Sequence, residues 1–283
     1  MKSSLTKCSR EEQTGKSIEE SKDFLWLHVR ELPYFRSLVR AVEARFYQDL
    51  WLGDPPILDV GCGDGHFSTV AFAHPLDVGI DPAAKALRQA HREGNYRWVL
   101  CCSGDALPFG TGAFGGAVSN SVLEHIPDVE GVLAEVTRVL KPGSPLIFCV
   151  PNQNFLPSLS IGGFLDRAGA HDLAGWYREF FNAISRHRHC DPPEVWQARL
   201  ERAGFAIDRW WNYVSPQGLH VVEWGHYFGL PSLLCHMLFG RWIIAPYRWN
   251  LAPAMAVVRP SYDEEPVQAH GVYTFYVTHK VRT

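Results

Sequence analysis

A long apolar run, a charge excess and a cysteine framework are all missing from this 283-residue chain. No stretch reaches the ~18–20 consecutive apolar residues of a membrane span. The nearest approach, Leu230 to Pro246, is interrupted by His236, Gly240 and Arg241 and reads as a segment able to touch a lipid surface rather than cross it. The formal net charge of −3 offers no basic field for nucleic acid. Seven cysteines are scattered, with Cys101 and Cys102 adjacent and Cys62 inside a glycine turn. An odd number at such spacings is neither a disulfide framework nor a zinc knuckle, so free thiols in a reducing cytoplasm are expected. The N-terminus lacks the apolar segment of a signal peptide. Residues 1–22 are polar and charged and are expected to form a disordered tail. No internal repeat or low-complexity tract breaks the rest.

What is present is an ordinary globular composition, 46% hydrophobic and 20% charged, sufficient for a sizeable core. From Pro33 to Trp51, Phe35, Leu38, Val39, Val42, Phe46 and Leu50 recur at helical steps. Strands are expected at Ile57–Val60, Leu76–Ile80, Tyr96–Cys101, Gly116–Asn120 and Leu146–Val150. Helical patterns alternate with them: one from the glycine turn to Phe72, one opening on Pro82 and running to Arg92, and one from Val129 to Leu140, stopped by Lys141-Pro142-Gly143. A later helix, Pro193 to Ala203, leads into strands at Phe205–Trp211 and Val272–His279. Alternation at this spacing predicts an α/β fold, a mostly parallel sheet with helices on both faces. The expected organisation is a single domain over 23–283 with its core at 55–152. Segments at about 153–191 and 212–271 fit the repeat poorly and are read as insertions on the site's rim.

The glycine-rich turn is the strongest local signal. Ile57-Leu58-Asp59-Val60-Gly61-Cys62-Gly63-Asp64-Gly65 reads as a buried strand that ends in a tight turn and enters a helix at His66. Glycines at alternate positions let the backbone bend and approach a ligand. The spacing is G-x-G-x-G. A dinucleotide turn would need a third glycine where His66 stands, and Asp59 would repel its pyrophosphate. A cofactor with a positive centre and a ribose suits these residues better; a ligand-free strand–helix turn is the bland alternative. Asp81, in Gly79-Ile80-Asp81-Pro82, can accept ribose hydroxyls or simply cap the next helix. Asp105, in Gly104-Asp105-Ala106-Leu107-Pro108-Phe109, can accept from an adenine amino group or belong to a plain turn.

With these three motifs in order, the chain resembles the class I S-adenosylmethionine-dependent methyltransferases, in particular their broad type 11 group. The likeness spans roughly residues 55–152 and takes in Ser119-Asn120-Ser121-Val122-Leu123-Glu124-His125-Ile126 and Arg138-Val139-Leu140-Lys141-Pro142-Gly143. It extends more weakly to Ala203-Gly204-Phe205. It implies a Rossmann-like seven-stranded sheet whose last strand is antiparallel. It also implies S-adenosyl-L-methionine as methyl donor and S-adenosyl-L-homocysteine as product. The cofactor-binding residues it implies are Asp59, Gly61, Cys62, Gly63, Gly65, Asp81, Pro82, Asp105, Ala106, Leu107, Asn120 and Ser121. His125 is the candidate general base, though the position also suits a residue that shapes the pocket.

The acceptor is less legible. Aromatics crowd both insertions, with Trp176, Tyr177, Phe180 and Phe181 in one and Trp211, Tyr213, Trp224, Tyr227 and Phe228 around the other. They suit a packed cap or an apolar pocket for a small or lipid-like acceptor. Leu230–Ile244 suits peripheral membrane contact. His171, His187, His189, His220 and His226 add to His125; any of them can take a proton near neutral pH or merely pack. His187-Arg188-His189-Cys190-Asp191 does not match a recognised ligand spacing, so no metal is expected. O-methylation is the leading expectation. N- or C-methylation, a non-catalytic cofactor-binding module and a nicotinamide-dependent oxidoreductase stay open. No basic stripe or Asn-Pro-Pro-Tyr-like motif points to nucleic acid. The helix before the glycine strand is expected to lie over the cofactor through Tyr34 and Phe35.

Overall fold

A computed structural model describes residues 22–282. Of the expected tail, 1–21 lie outside the described residues, while Lys22 donates to the Val70 carbonyl at 2.6 Å. Seven strands form the sheet among the described residues: β1 (Ile57–Val60), β2 (Leu76–Asp81), β3 (Tyr96–Cys101), β4 (Gly116–Asn120), β5 (Pro145–Pro151), β6 (Phe205–Tyr213) and β7 (Tyr273–Lys280). Their order is β3-β2-β1-β4-β5-β7-β6. β7 runs antiparallel to both its neighbours, and the other pairings are parallel.

The helices are α1 (Phe24–Val29), α2 (Tyr34–Phe46), α3 (His66–Ala71), α4 (Ala84–Glu93), α5 (Val129–Val139), α6 (Ser160–Arg167), α7 (His171–Ser185), α8 (Pro193–Ala203), α9 (Pro216–Phe228), α10 (Leu230–Phe239) and α11 (Arg248–Tyr262). β1 and β5 are buried along their whole length, as strands covered on both faces must be. Their side chains alternate between two cores. Leu58, Val60, Leu146, Phe148 and Val150 meet α5 and α8, whereas Ile57, Ile147 and Cys149 belong with α1, α2, α9 and α11.

Several expected boundaries are corrected, among them that of the helix from Pro33, which ends at Phe46 rather than near Trp51. Pro82 is not in the first turn of α4: Asp81 Oδ1 accepts the Ala83 N–H at 2.8 Å, which turns the chain through Pro82, and the helix begins at Ala84. β6 runs two residues further than expected, because Asn212 and Tyr213 continue to pair with Thr274 and Tyr273. The second insertion therefore follows β6 as α9, α10 and α11. The first insertion contains α6 and α7. No side chain of its own caps α6. Instead the buried Glu223 of α9 accepts from the N–H groups of Ser160 (2.6 Å) and Ile161 (3.1 Å) and from the Tyr177 hydroxyl (2.6 Å). A carboxylate at a helix N-terminus satisfies otherwise unpartnered donors, so this residue ties α6, α7 and α9 together.

Candidate functional site

β1 ends in a turn anchored on its neighbour: the N–H groups of Gly61 and Cys62 both donate to the Ile80 carbonyl of β2 (2.8 and 2.9 Å). Gly61, Gly63 and Gly65 have φ of +80°, +56° and +80°, a region costly for other residues. Their surroundings differ. A Cβ on Gly61 would lie 2.4 Å from the Val122 side chain, while one on Gly63 would meet nothing within 4 Å. Gly61 thus serves close packing and Gly63 borders open space. Asp81 is tied to the turn, its Oδ2 accepting the Gly63 N–H at 3.0 Å. Each of its oxygens has one protein donor and retains capacity for another, which is the requirement for two ribose hydroxyls.

The remaining motif residues separate into those near open space and those behind it. Asp59 is buried beneath the turn and accepts the Tyr96 hydroxyl at 2.6 Å. Burial raises its pKa to about 7, and it is not on the wall of the cavity described below. Cys62 is buried, and Gly79 passes so close that a Cβ there would lie 2.9 Å from its sulfur. Asp105 and Ala106 are exposed beyond β3, whereas Leu107 is buried. The Leu107 N–H donates to Glu135 at 2.8 Å and its carbonyl accepts from Arg138 at 2.9 Å, so α5 holds this loop. Asn120 points inward and donates to Glu43 Oε2 at 2.6 Å. Ser121, with φ of +50°, donates to Glu43 Oε1 at 2.9 Å.

Glu43 of α2 was not singled out from sequence, yet it organises this end of β4. It is fully buried and also accepts from Tyr213 (2.7 Å) and Arg40 (3.1 Å), and Arg40 in turn donates to the Asn120 carbonyl at 3.1 Å. Arg36, Arg40 and Glu43 lie at i, i+4 and i+7, a charged stripe beside the apolar face of α2 that could have flagged all three.

A cavity of about 960 Å³ opens beside this network. Asp81, Pro82, Ser121 and His125 line it, joined by Arg36 and Arg40 of α2, Glu124, and His187 and His226 from the insertions. Phe35, Val39, Phe155, Leu230, Leu233 and Trp242 give it an apolar wall. α2 therefore borders the cavity with Phe35 but not with Tyr34. Of the six histidines singled out, His125, His187 and His226 meet here. His171 pairs with Asp166 on the surface, and His189 and His220 bond the carbonyls of Ile126 and Ser158.

Burial lowers the pKa of His125 and His226, and takes His187 down to about 3, with the neighbouring His125 and His226 adding to the effect. These imidazoles are neutral at pH 7. His125 Nδ1 lies 3.1 Å from the Arg186 carbonyl, which makes Nδ1 the protonated nitrogen and leaves the Nε2 lone pair free. Burial raises Glu124 to about 8, and its Oε1 lies 3.7 Å from His125 Nε2.

The region that carries the glycine turn is shared with known proteins. Residues 58–148 match the family described as "Methyltransferase domain". An uncharacterized methyltransferase of Mycobacterium tuberculosis is 30% identical over 189 residues, covering 62% of this chain and 70% of that protein. One from Mycobacterium leprae is 33% identical over 180 residues, covering 56% of this chain but only 62% of its own length, so less than two thirds of that relative is spanned. Among solved structures, geranyl diphosphate C-methyltransferase from Streptomyces coelicolor superposes with a TM-score of 0.51 at 15% identity, covering 94% of this chain and 86% of that one. That likeness is one of fold.

Proposed function

Because this chain belongs to the S-adenosylmethionine-dependent methyltransferases, we propose that it methylates an oxygen of a small, lipid-like acceptor that reaches the site from an apolar surface. The observation carrying this reading is the continuity of one cavity from Asp81, Pro82 and Ser121 to Leu230, Leu233 and Trp242.

The residues present fit the methyl donor. Gly63 has no neighbour on its Cβ side, Asp81 retains acceptor capacity, and Asp105 is exposed at the next strand end. Asp81 would hold the ribose hydroxyls and Asp105 the adenine amino group, with the Gly61–Gly65 backbone allowing close approach. When bound, S-adenosyl-L-methionine supplies a methyl group activated by its sulfonium, leaving S-adenosyl-L-homocysteine. The chain's own tasks are alignment and proton removal. Phe35, Val39, Phe155 and Trp242 would pack against an apolar acceptor. His125 receives the acceptor's hydroxyl proton at Nε2, and the Arg186 carbonyl keeps Nδ1–H in place.

The route of entry follows from α10. None of its residues is buried, and Leu234, Met237, Leu238 and Phe239 all face outward, followed by exposed Tyr247 and Trp249. An apolar helix left uncovered, with aromatics and Arg241 and Arg248 beside it, suits a lipid interface. Among the described residues no helix is long and apolar enough to cross a membrane, so the proposed contact is peripheral.

Calorimetric titration with S-adenosyl-L-homocysteine, with NAD as control, tests the donor site. Methyl transfer from labelled donor to lipid alcohols in phosphatidylcholine vesicles tests the acceptor. Transfer into the lipid fraction, lost in Asp81→Ala and His125→Ala, is expected. S-adenosyl-L-homocysteine binding without transfer to any alcohol, amine or carbon acceptor would instead favour a non-catalytic binding module.

A further inference from the structure

We propose that Glu124, His125 and His187 form a binding site for a divalent transition-metal ion in the wall of the acceptor cavity. A carboxylate oxygen of Glu124 and one ring nitrogen from each histidine all lie within 4.8 Å of one another. All three residues line the cavity.

The cluster is built by two distant segments. Glu124 and His125 follow β4 in a single 3-10 turn, Leu123–His125, whereas His187 follows the end of α7. The backbone joins them: the N–H groups of Arg188 and His189 both donate to the Glu124 carbonyl, at 2.7 and 3.3 Å. Arg186, in the left-handed conformation with φ of +59°, turns the chain so that His187 faces Glu124. The relative positions of the three side chains therefore rest on fixed backbone.

The three side chains have few protein partners among the described residues. Glu124 Oε2 is buried and accepts no hydrogen bond among the described residues, a costly state for a carboxyl oxygen. No other described residue bonds Oε1, since His125 Nε2 at 3.7 Å is too far for a hydrogen bond. Among the described residues the His187 ring has one hydrogen-bond contact, the Cys190 sulfur 3.8 Å from Nδ1. His125 is oriented by its Nδ1–H on the Arg186 carbonyl, the arrangement by which a backbone carbonyl commonly aims the other nitrogen at a metal. A single cation would satisfy all three groups at once.

Two imidazoles and one carboxylate suit zinc, iron, cobalt, nickel or manganese, whereas magnesium and calcium favour oxygen-only sets. Three protein ligands leave coordination positions open toward the cavity. Arg36, Arg40 and Arg186 stand in the same wall and oppose a cation, so the expected affinity is micromolar rather than tighter. The ion's role rests on the methyltransferase reading above. It would bind the acceptor oxygen as a Lewis acid and ease loss of the hydroxyl proton to solvent. His125 would then act through the ion instead of taking the proton itself. The site itself rests only on the three side chains.

Titration of the chelator-stripped full chain with Co²⁺ tests the site, read by visible d–d absorption and by competition with Zn²⁺. One equivalent of saturable binding is expected, with affinity at least about tenfold weaker in His187→Ala and in Glu124→Gln. Far-UV circular dichroism confirms that each variant is folded, and wild-type uptake decides the matter if one is not. No saturable Co²⁺ uptake by the wild type, or uptake unchanged in both variants, would overturn the proposal. S-adenosyl-L-homocysteine binding measured in the same metal-free samples separates the two ideas. If it persists without cobalt uptake, only the metal site fails; if it is absent as well, the donor-site reading fails with it.

Discussion

The strand ends around the glycine turn and the outer helices of the rim hold their residues by opposite means. At the strand ends, two carboxylates gather donors from several segments. Glu43 accepts from Arg40, Asn120, Ser121 and Tyr213, and Asp81 bonds the N–H groups of Gly63 and Ala83. On the rim, the inner layer is tied by the buried Glu223, and beyond it α10 exposes an apolar surface that no described residue covers, Leu238 being 75% accessible. Buried polar networks permit few alternatives, because an unmatched group is expensive. An uncovered apolar face commits only to being covered. The first region is suited to one invariable cofactor and the second to a surface or an acceptor.

Breaking the polar region should cost most. Glu43→Ala removes the acceptor of four donors and strands the largely buried Arg40, with an expected loss of about 3–5 kcal/mol in urea denaturation. A midpoint shifted by only a small fraction of that would show that the network is dispensable. The two glycines sharpen the contrast within that region. Gly61→Ala meets both a left-handed backbone and Val122 and should lose about 3 kcal/mol. Gly63→Ala meets only the backbone term, about 1–2 kcal/mol, yet should weaken S-adenosyl-L-homocysteine binding measured by calorimetry. Equal stability losses in the two variants would remove the distinction.

Asp59 supplies a pH test of the same region. Its folded pKa of about 7 lies above its ordinary value near 3.8. Between those values the unfolded chain is ionised while the folded one still holds a proton. Asp59 therefore lowers stability as pH rises from about 4 to 7, and by a constant amount above that. Asp59→Asn lacks this slope, so its melting temperature should fall less between about pH 5 and pH 8 than that of the wild type. Parallel falls would place the Asp59 pKa near the ordinary value.

The rim should respond least in stability. The double variant Leu234→Ser, Leu238→Ser alters exposed positions and should change unfolding free energy by within about 0.5 kcal/mol. Its binding to phosphatidylcholine vesicles in a sedimentation assay should nevertheless drop markedly. Unchanged vesicle binding would mean that α10 faces some other partner.

Much of the fold was legible because period and punctuation are local. Ile57–Val60, Tyr96–Cys101, Gly116–Asn120 and Pro193–Ala203 have the bounds read from sequence. Pro82 misled because a proline suits both a helix start and the turn before one, and the side chain of Asp81 decided between them. The glycine turn was visible, but the different tasks of Gly61 and Gly63 were not, since they depend on Val122. Asp59 reads as an acid beside the turn, while its orientation toward Tyr96 is a matter of which strand face it occupies. Glu43 sat in view on a charged stripe without any local sign of what it would meet.

The sequence by itself determined the alternation of strands and helices, the left-handed glycines of the turn and the acids at successive strand ends. Each of these follows from the preferences of a few neighbouring residues. Only the tertiary structure decided that Glu43 meets Asn120 and Tyr213, 77 and 170 residues away, and that His187 joins Glu124 and His125. A side chain's chemistry states what it can bond to. Which groups come within reach is set by how the sheet orders its strands and where the rim helices pack.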